Sequence, residues 1–213
     1  MTGAAKQVTQ RSMGAIDRTF KSERLTFFSD AVMAVAITVL VLDLKLPEGM
    51  GPAELNTALS GLSHALWCYV LSFVVIGMLW MAHHNQFAHI ERVDGALQWL
   101  NLLFLMMVAL IPFVTNLMSD YGGARPTAFY AVILLGSSLS LAAIWGYAIS
   151  KPELMRADVP PELRRLGVLI PLAISGVFAL SIAVAFSVGA AAAQWTWVLA
   201  AFAGPVASRL ARV

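Results

Sequence analysis

Charged side chains are scarce in this sequence of 213 residues, of which Asp, Glu, Lys and Arg together make up 12%. A soluble domain carries about 25% of such residues, so this chain lacks the side chains that would cover a soluble surface. The few charges nearly balance, to a net charge of +2. That value excludes the strongly basic surface on which nucleic-acid binding depends, and no nucleic-acid partner is expected.

Cysteine is almost absent as well. The single cysteine, Cys68, lies in an apolar stretch, which excludes an internal disulfide and offers no metal-ligand spacing. No serine stands in a glycine-flanked, strained turn of the kind that nucleophilic hydrolases use, and we predict that the protein is not an enzyme. Residues 1–23 lack the apolar core of a signal peptide, so we interpret them as a polar cytoplasmic leader.

Long apolar runs dominate what remains, with 59% hydrophobic residues and a mean hydropathy of +0.77. Six windows of roughly bilayer-spanning length lie at 25–46, 59–82, 97–118, 127–150, 167–188 and 191–210. Glycine, proline and polar residues separate them, including a predicted polar link at 83–94 and a long loop at 151–166. We therefore predict an all-α integral membrane protein, with six transmembrane helices in one domain over residues 24–213.

Basic residues predict the orientation of these spans. If the N-terminus is cytoplasmic, twelve Lys and Arg residues fall on the cytoplasmic side and only Lys45 and Arg125 fall outside. This positive-inside bias supports an even number of spans with both termini in the cytoplasm. The two halves of the chain show no internal repeat, so a symmetric central pathway would require several copies of the chain.

The first apolar run, residues 24–47, has the sequence RLTFFSDAVMAVAITVLVLDLKLP and includes one early carboxylate, Asp30. A charge inside such a segment is costly and usually functional, which directs attention to Arg24, Ser29 and Asp30. At about 100° per residue, one helix stripe carries Ala31, Val35, Thr38, Val39 and Leu42. Asp30, Ala34, Ile37 and Val41 are predicted to lie on a roughly opposite face.

The stripe has two interpretations. It can be a lipid-facing or packing surface, in which the Thr38 hydroxyl bonds the carbonyl of Ala34 in its own helix. Alternatively it can be a pore wall, in which Val35 and Leu42 from several subunits form apolar constrictions and Thr38 supplies a polar ring between them. The sequence has no TVGYG-like loop, which excludes a carbonyl cage of the usual potassium-channel kind.

A second polar cluster spans the end of the second window and the start of the third. Ser29, Asp30, His83, His84 and Asn101 are predicted at one membrane depth, where they could satisfy one another between helices. A proton relay through Asp30 and a histidine is a sharper alternative. A metal site built from His83, His84 and His89 is weaker, because adjacent histidines diverge and no Glu or Cys stands at ligand spacing.

Two motifs resemble a known family, the transmembrane protein 175 family of potassium channels. The first is Arg24-x-x-x-Phe28-Ser29-Asp30-Ala-Val-x-Ala-Val-x-Ile37-Thr38, closed by Leu-Pro at 46–47. The second is Trp80-x-x-His83-His84-x-x-Phe87, and Asn101 with Pro112-Phe113 is similar to the family's third helix. The resemblance covers about residues 24–113 of the sequence.

The resemblance implies a potassium-selective leak channel without a cofactor, in a bacterial cytoplasmic membrane. Animal members are lysosomal, carry two six-helix repeats and include a proton-permeable branch, whereas a single repeat is similar to the bacterial homotetramer. The resemblance implies gate residues at Val35, Val39 and Leu42 and a selectivity residue at Thr38. It implies that Arg24, Phe28, Ser29 and Asp30 fix the first helix, and Trp80, His83, His84 and Asn101 belong to the same motifs.

As a channel, the protein would have potassium ions and membrane lipid as its partners. Two rival functions remain open beside the channel. One is a proton-coupled transporter or proton-permeable channel that uses Asp30 with His83 or His84. The other is a membrane scaffold that conducts nothing.

Overall fold

The computed structural model describes residues 20–46, 51, 58–59 and 61–198. Its helices are α1 (Glu23–Val39, continued by the 3-10 turn Leu40–Asp43), α2 (Ser63–Phe87), α3 (Gly95–Tyr121), α4 (Ala124–Ser150), α5 (Pro161–Ser187) and α6 (190–198). Two short strands, β1 (Phe20–Lys21) and β2 (Arg92–Val93), and a 3-10 turn at Pro152–Leu154 complete the described elements. Five of these helices, α1 to α5, are long and apolar enough to cross a membrane.

The helical membrane fold predicted from the sequence is therefore confirmed. The first five windows each correspond to one helix, and each of these helices contains an apolar stretch of spanning length. The sixth window, 191–210, is helical over 191–198, and its remainder lies outside the described residues. Most of the predicted leader, residues 1–19, also lies outside them, so the division at residue 23 stays a prediction.

Helix α2 continues further than the sequence analysis predicted. The segment 83–87 was assigned to a polar link, but it forms the last turn of α2. His83, Gln86 and Phe87 are buried in this turn. His83 Nε2 bonds Asn101 on α3 and Gln86 Nε2 donates to the carbonyl of Gly167 on α5, so both polar side chains are tied to other helices. The connection to α3 is consequently short, and Asp94 caps α3 by accepting the Leu97 N–H at 2.9 Å.

Helices α3 and α4 connect the five long helices into one bundle. Helix α4 is the most buried span and packs against α3 and α5, with α3 also contacting α1 and α2. The α4–α5 contact is close because Gly167 gives space to Trp145, a buried ring whose Nε1–H donates to the carbonyl of Arg164 at 2.9 Å. Helix α1 packs on α2 and α3, and much of its circumference is exposed.

A small extended ribbon joins the loops at the end of the bundle where α1 begins, which we call the basal end. β1 pairs antiparallel with β2, and Ile90 forms a bridge with Met155. The ribbon does not change the all-α class of the fold; it forms because backbone groups in neighbouring loops hydrogen-bond one another. The ribbon ties the start of α1 to both the α2–α3 and the α4–α5 connections.

Aromatic side chains mark the two ends of α3. Trp99 near the basal end is 74% exposed and Tyr121 at the opposite end is 77% exposed. Amphipathic rings at both ends of an apolar helix are typical of side chains at the two membrane interfaces.

Candidate functional site

The candidate site is built on α1, one face of which is fixed to the bundle. Ser29, Met33, Ala36 and Leu40 recur at intervals of three and four residues and are all buried, with at most 5% exposure. They form the stripe that packs on α2 and α3. This stripe, and not the one containing Asp30, lies opposite the predicted pore stripe. The prediction that the Asp30 face lies opposite the pore stripe was therefore wrong. On a helix with 3.6 residues per turn, Asp30 lies about a quarter turn away from the buried stripe.

The predicted pore stripe points away from the subunit. Val35 is 60% exposed and Leu42 is 63% exposed, and Ala31 and Thr38 are exposed between them. Val39 is covered more, at 37% exposure. The stripe is uncharged and has one hydroxyl, and most of its side chains are left exposed by the described part of the subunit.

The Thr38 hydroxyl has a defined direction. Its Oγ1 donates to the carbonyls of Ala34 and Val35, both at 2.9 Å. The self-bonding that the sequence analysis allowed is therefore present. Oγ1 can still act as an acceptor, because the hydroxyl hydrogen points into the helix and leaves lone pairs of Oγ1 available on the exposed side.

Behind the stripe, three of the five predicted polar partners form one interhelical chain. Asn101 Nδ2 donates to Ser29 Oγ at 2.9 Å, and His83 Nε2 lies 2.8 Å from Asn101 Oδ1. Ser29 Oγ in turn donates to the carbonyl of Leu25 at 2.8 Å. Since Oδ1 can only accept, Nε2 must carry the hydrogen. The chain joins α1, α3 and α2 in a fully buried position.

His83 is enclosed on both ring faces. Phe87 stacks on it with ring centroids 4.3 Å apart, and Phe104 lies at 5.2 Å and nearly parallel. Its Nδ1 atom is buried without a hydrogen-bond partner. An enclosed imidazole that donates through one nitrogen behaves as a packing and anchoring group.

Asp30 and His84 do not join this chain, contrary to the sequence-based expectation. Asp30 Oδ1 accepts from Trp80 Nε1 at 2.8 Å, and the Trp80 ring lies 5.4 Å from the ring of His84. The reason is the flank position of Asp30 on α1, which faces α2. Two separate contacts therefore hold α1, and Arg24 and Phe28 lie exposed beside them at the basal end.

The three histidines considered for a metal site point to different partners. His83 bonds Asn101 and His84 contacts Trp80, whereas His89 bonds the carbonyl of Asn85 at 2.9 Å. In the part of the chain that the structure describes, no group of three His, Cys, Asp or Glu side chains could hold a metal ion.

An apolar groove runs along one flank of the stripe, between α1 and α3, with a volume of about 340 Å³. Its lining consists of Ala31, Val32, Val35, Ala36, Val39, Ala109 and Pro112. This groove was not predicted from the sequence. The small side chains of Ala36 and Ala109 were a usable signal only once α1 and α3 were known to be adjacent.

A buried hydroxyl cluster in the half of the bundle away from the basal end was also missed. Thr115 donates to the carbonyl of Ile111 at 2.7 Å, so Ser72, 2.7 Å from Thr115, must donate to it. Tyr130 then donates to Ser72 at 2.9 Å. Single hydroxyls are common in apolar helices, and nothing in the sequence indicates that these three converge.

Comparison with known proteins gives one family. The family described as "Endosomal/lysosomal potassium channel TMEM175" matches residues 24–112. A potassium channel of Streptomyces collinus is 38% identical over 147 residues, which cover 66% of this chain and 71% of that protein. A potassium channel of Chamaesiphon minutus is 34% identical over 62% of this chain and 68% of its own length.

Animal relatives are more distant and much longer. The human endosomal/lysosomal proton channel TMEM175 is 25% identical over 68% of this chain, which covers only 29% of the human protein. The crystal structure of a lysosomal potassium-selective channel TMEM175 homolog from Chamaesiphon minutus superimposes with a TM-score of 0.74 at 26% identity. That match covers 87% of this chain and 97% of the solved one.

Proposed function

Because the chain belongs to the TMEM175 family, we propose that it is a potassium-selective ion channel, through which K⁺ crosses a membrane passively. Family and fold are those of a channel and not of an enzyme. The potassium assignment follows the bacterial relatives, which are named potassium channels, over the animal relatives, which are named proton channels.

The observation that carries this proposal is the exposed stripe on α1. A membrane helix whose remaining surface faces lipid needs only one face that packs on its own subunit. In α1 this face is formed by Ser29, Met33, Ala36 and Leu40. Its opposite face combines bulky apolar side chains with one outward-facing oxygen at Thr38. Apolar rings that alternate with an oxygen ring are the composition from which a gated cation pore can be built.

The pore requires several copies of the chain. Helix α4, at the centre of the subunit, is packed on α3 and α5, so the interior of one subunit is filled by side chains. We propose a homotetramer with four α1 helices around a central axis.

In this tetramer, Val35 and Leu42 form apolar constrictions, with Val39 beside them. A narrow apolar ring excludes water and raises the barrier to ions unless it widens, so these rings act as the gate. Thr38 lies between them and presents four oxygens. Because each hydroxyl hydrogen is donated to its own helix, each oxygen faces the ion as an acceptor and replaces part of its hydration shell.

An anchoring role is assigned to the polar residues behind the stripe, which are Ser29, Asp30, Trp80, His83 and Asn101. Each of them contacts another helix of the same subunit, and none of them lies on the exposed stripe. A proton relay would need Asp30 and a histidine to exchange protons, yet Asp30 is bonded to Trp80 and His83 is enclosed by two phenyl rings. These contacts favour the potassium channel over the proton-coupled alternative.

We place the tetramer in a bacterial cytoplasmic membrane, with both termini in the cytoplasm and the basal end facing it. The support is the excess of Lys and Arg that this orientation leaves inside.

The test is ion flux into liposomes that contain the purified protein. With a K⁺ gradient the membrane potential should follow the potassium equilibrium value, and an imposed proton gradient should change it little. A potential that follows the proton gradient would instead support the proton pathway, and absence of any flux would support the scaffold.

Two variants with matched exposure identify the pathway. Val35→Trp should fill the constriction and abolish K⁺ flux. Leu180→Trp, at a position on α5 that is 61% exposed against 60% for Val35, should leave the flux unchanged. Equal flux from both variants would place the pathway away from α1.

A further inference from the structure

We propose that Gln86 is a positioning residue for the pore helix, because it ties the turn of α2 that holds α1 to a carbonyl of α5 that Pro171 leaves open. The proposal rests on the proposed channel and adds a contact that controls how often the pore is open. This control is assigned to a side chain that lies away from the exposed stripe of α1.

Pro171 lies inside α5 and removes one hydrogen bond from that helix. A proline has no N–H, so the carbonyl four residues earlier, that of Gly167, receives no donor from its own helix. In membrane proteins a neighbouring helix commonly supplies the donor for such a carbonyl. Gln86 Nε2 on α2 is this donor, at 3.4 Å from the Gly167 oxygen. The glutamine therefore bonds a backbone group that α5 cannot satisfy by itself.

The amide of Gln86 is oriented by this contact. Gln86 is 7% exposed, and its Oε1 atom is buried and has no hydrogen-bond partner among the described residues. Since a carbonyl oxygen can only accept, the amide must present its nitrogen to Gly167. Without this bond, both polar groups of a buried side chain would lack a partner in the described part of the chain.

Gly167 allows the close approach of neighbouring helices because it has no side chain. The Trp145 ring of α4 occupies the space that a β-carbon would need, and its Nε1–H bonds the carbonyl of Arg164 one turn earlier. Side chains from α2 and α4 therefore bond neighbouring carbonyls of α5. The basal part of α5 is held at two points, and Gln86 is the one that connects it to α2.

The turn that contains Gln86 also carries the anchor of α1. His83 is three residues earlier on the same face of α2, and Phe87 follows Gln86 directly and stacks on the His83 ring. His83 bonds Asn101, which bonds Ser29 on α1. A change in the position of this turn therefore reaches α1 through a chain of direct contacts.

The direction of the effect follows from the side on which α1 is anchored. Helices α2 and α3 pack on the buried face of α1, opposite the stripe that lines the proposed pore. Contacts on that face hold α1 back from the pore axis, so loosening them lets the stripe move inward and narrows the constriction. Loss of the Gln86 bond should therefore lower the open probability, while the residues that contact the ions stay the same.

Single-channel recording of Gln86→Met tests this role. Methionine is also unbranched and flexible, and it cannot donate to Gly167. Open probability should fall about threefold, the shift in population that one interhelical hydrogen bond of average strength supports. Unitary conductance and the potassium-to-sodium permeability ratio should stay unchanged. Gln98→Met is the matched control, because the side chain of Gln98, half-buried near the start of α3, makes no hydrogen bond within the described part of the chain.

A second variant separates positioning from stability. Pro171→Ala supplies the missing N–H, so the Gly167 carbonyl gains a donor in its own helix, and its second lone pair can still accept from Gln86. Gln86→Met should then lower the midpoint temperature of unfolding much less in the Pro171→Ala background than in the parent, because no carbonyl is left without a donor. Its effect on open probability should persist, because α2 still loses its bond to α5.

The outcomes distinguish the positioning role from the channel function. A Gln86→Met channel with the open probability of the parent, or of Gln98→Met, overturns the proposal. A drop in open probability that Pro171→Ala cancels together with the drop in stability shows a merely structural role and also overturns it. An equal drop in midpoint with and without Pro171 shows that Gln86 does not satisfy the open carbonyl. If the parent conducts no K⁺, the proposed function fails, and the comparison of midpoints still decides whether Gln86 satisfies this carbonyl.

Discussion

Asn101 carries the interhelical chain that holds α1, and replacing it by leucine should loosen α1 without changing the pore lining. Leucine keeps the approximate volume of the side chain and removes both of its polar groups. The hydrogen bonds to Ser29 and His83, at 2.9 and 2.8 Å, are lost together. We therefore expect Asn101→Leu to lower thermal stability markedly, while the potassium-to-sodium permeability ratio of the remaining protein stays unchanged.

The size of the effect follows from these contacts. Two interhelical hydrogen bonds within a membrane contribute about 0.6 kcal/mol each. Leaving the buried Nε2–H of His83 without an acceptor costs about 1–3 kcal/mol more. The total, about 2–4 kcal/mol, corresponds to a fall in midpoint temperature of about 5–15 °C for a chain of this size. The midpoint can be measured by size-exclusion chromatography of detergent-solubilised protein after heating.

A control and a rescue make this prediction specific. Ser175→Ala removes a buried hydroxyl that bonds only the carbonyl of Pro171 in its own helix, so it should shift the midpoint much less. The double variant Asn101→Leu/His83→Phe removes both polar partners and keeps an aromatic ring between Phe87 and Phe104. Most of the lost stability should return. A single Asn101→Leu variant as stable as Ser175→Ala would refute the anchoring argument.

Four further changes test the pore, the packing and the basal end. Leu42→Ala should widen the apolar constriction and raise K⁺ conductance or open probability in single-channel recordings. Thr38→Val should move the potassium-to-sodium permeability ratio toward one, because the shape is kept and the oxygen is lost, whereas Thr38→Ser should retain most of the preference. Gly167→Ala should lower the midpoint temperature by about 6–12 °C, since a β-carbon there would overlap the Trp145 ring, at a cost of about 3 kcal/mol. The midpoint temperature of the parent should fall between neutral and acid pH, and Asp94→Asn should make this fall smaller.

The sign of the pH effect comes from the environment of Asp94. Burial alone would raise the pKa of this carboxyl, but hydrogen bonds from the Leu97 N–H and the Tyr147 hydroxyl outweigh it and lower the pKa. A lowered pKa in the folded state adds stability above the unfolded value of about 3.9, and this stability is lost as the pH falls through the folded pKa. A parent and an Asp94→Asn variant with parallel acid profiles would contradict this role.

Matched positions on α5 serve as controls for the other changes. Leu180→Ala removes an equally exposed leucine, 61% against 63% for Leu42, and should not alter conduction. Gly176→Ala introduces a β-carbon with no atom within 4 Å and should be neutral or slightly stabilising. If Leu180→Ala conducts like Leu42→Ala, or Gly176→Ala is as damaging as the Gly167 change, the corresponding argument fails. A selective Thr38→Val channel would move selectivity to the constriction itself.

The pattern of apolar residues determined most of the fold. Hydropathy alone predicts membrane helices because each span must be apolar for about 20 residues, and the described part of the chain contains five such helices. Helical periodicity also predicted that Val35, Thr38 and Leu42 share one face, since their spacing fixes a common face whatever the neighbours are. That this face points away from the subunit is seen only in the structure. The roles of these residues as gate and selectivity ring remain proposals that the flux experiments address.

Which polar groups meet was decided by tertiary packing. The sequence predicted that Ser29, Asp30, His83, His84 and Asn101 share one depth, but depth leaves the angular position of each helix open. Packing turned Ser29 toward Asn101 and His83, and it left Asp30 on the flank where Trp80 reaches it. The same rotation of α1 against α3 created the groove at Ala109. Periodicity along one helix specifies a face, and only the contact between helices specifies what that face meets.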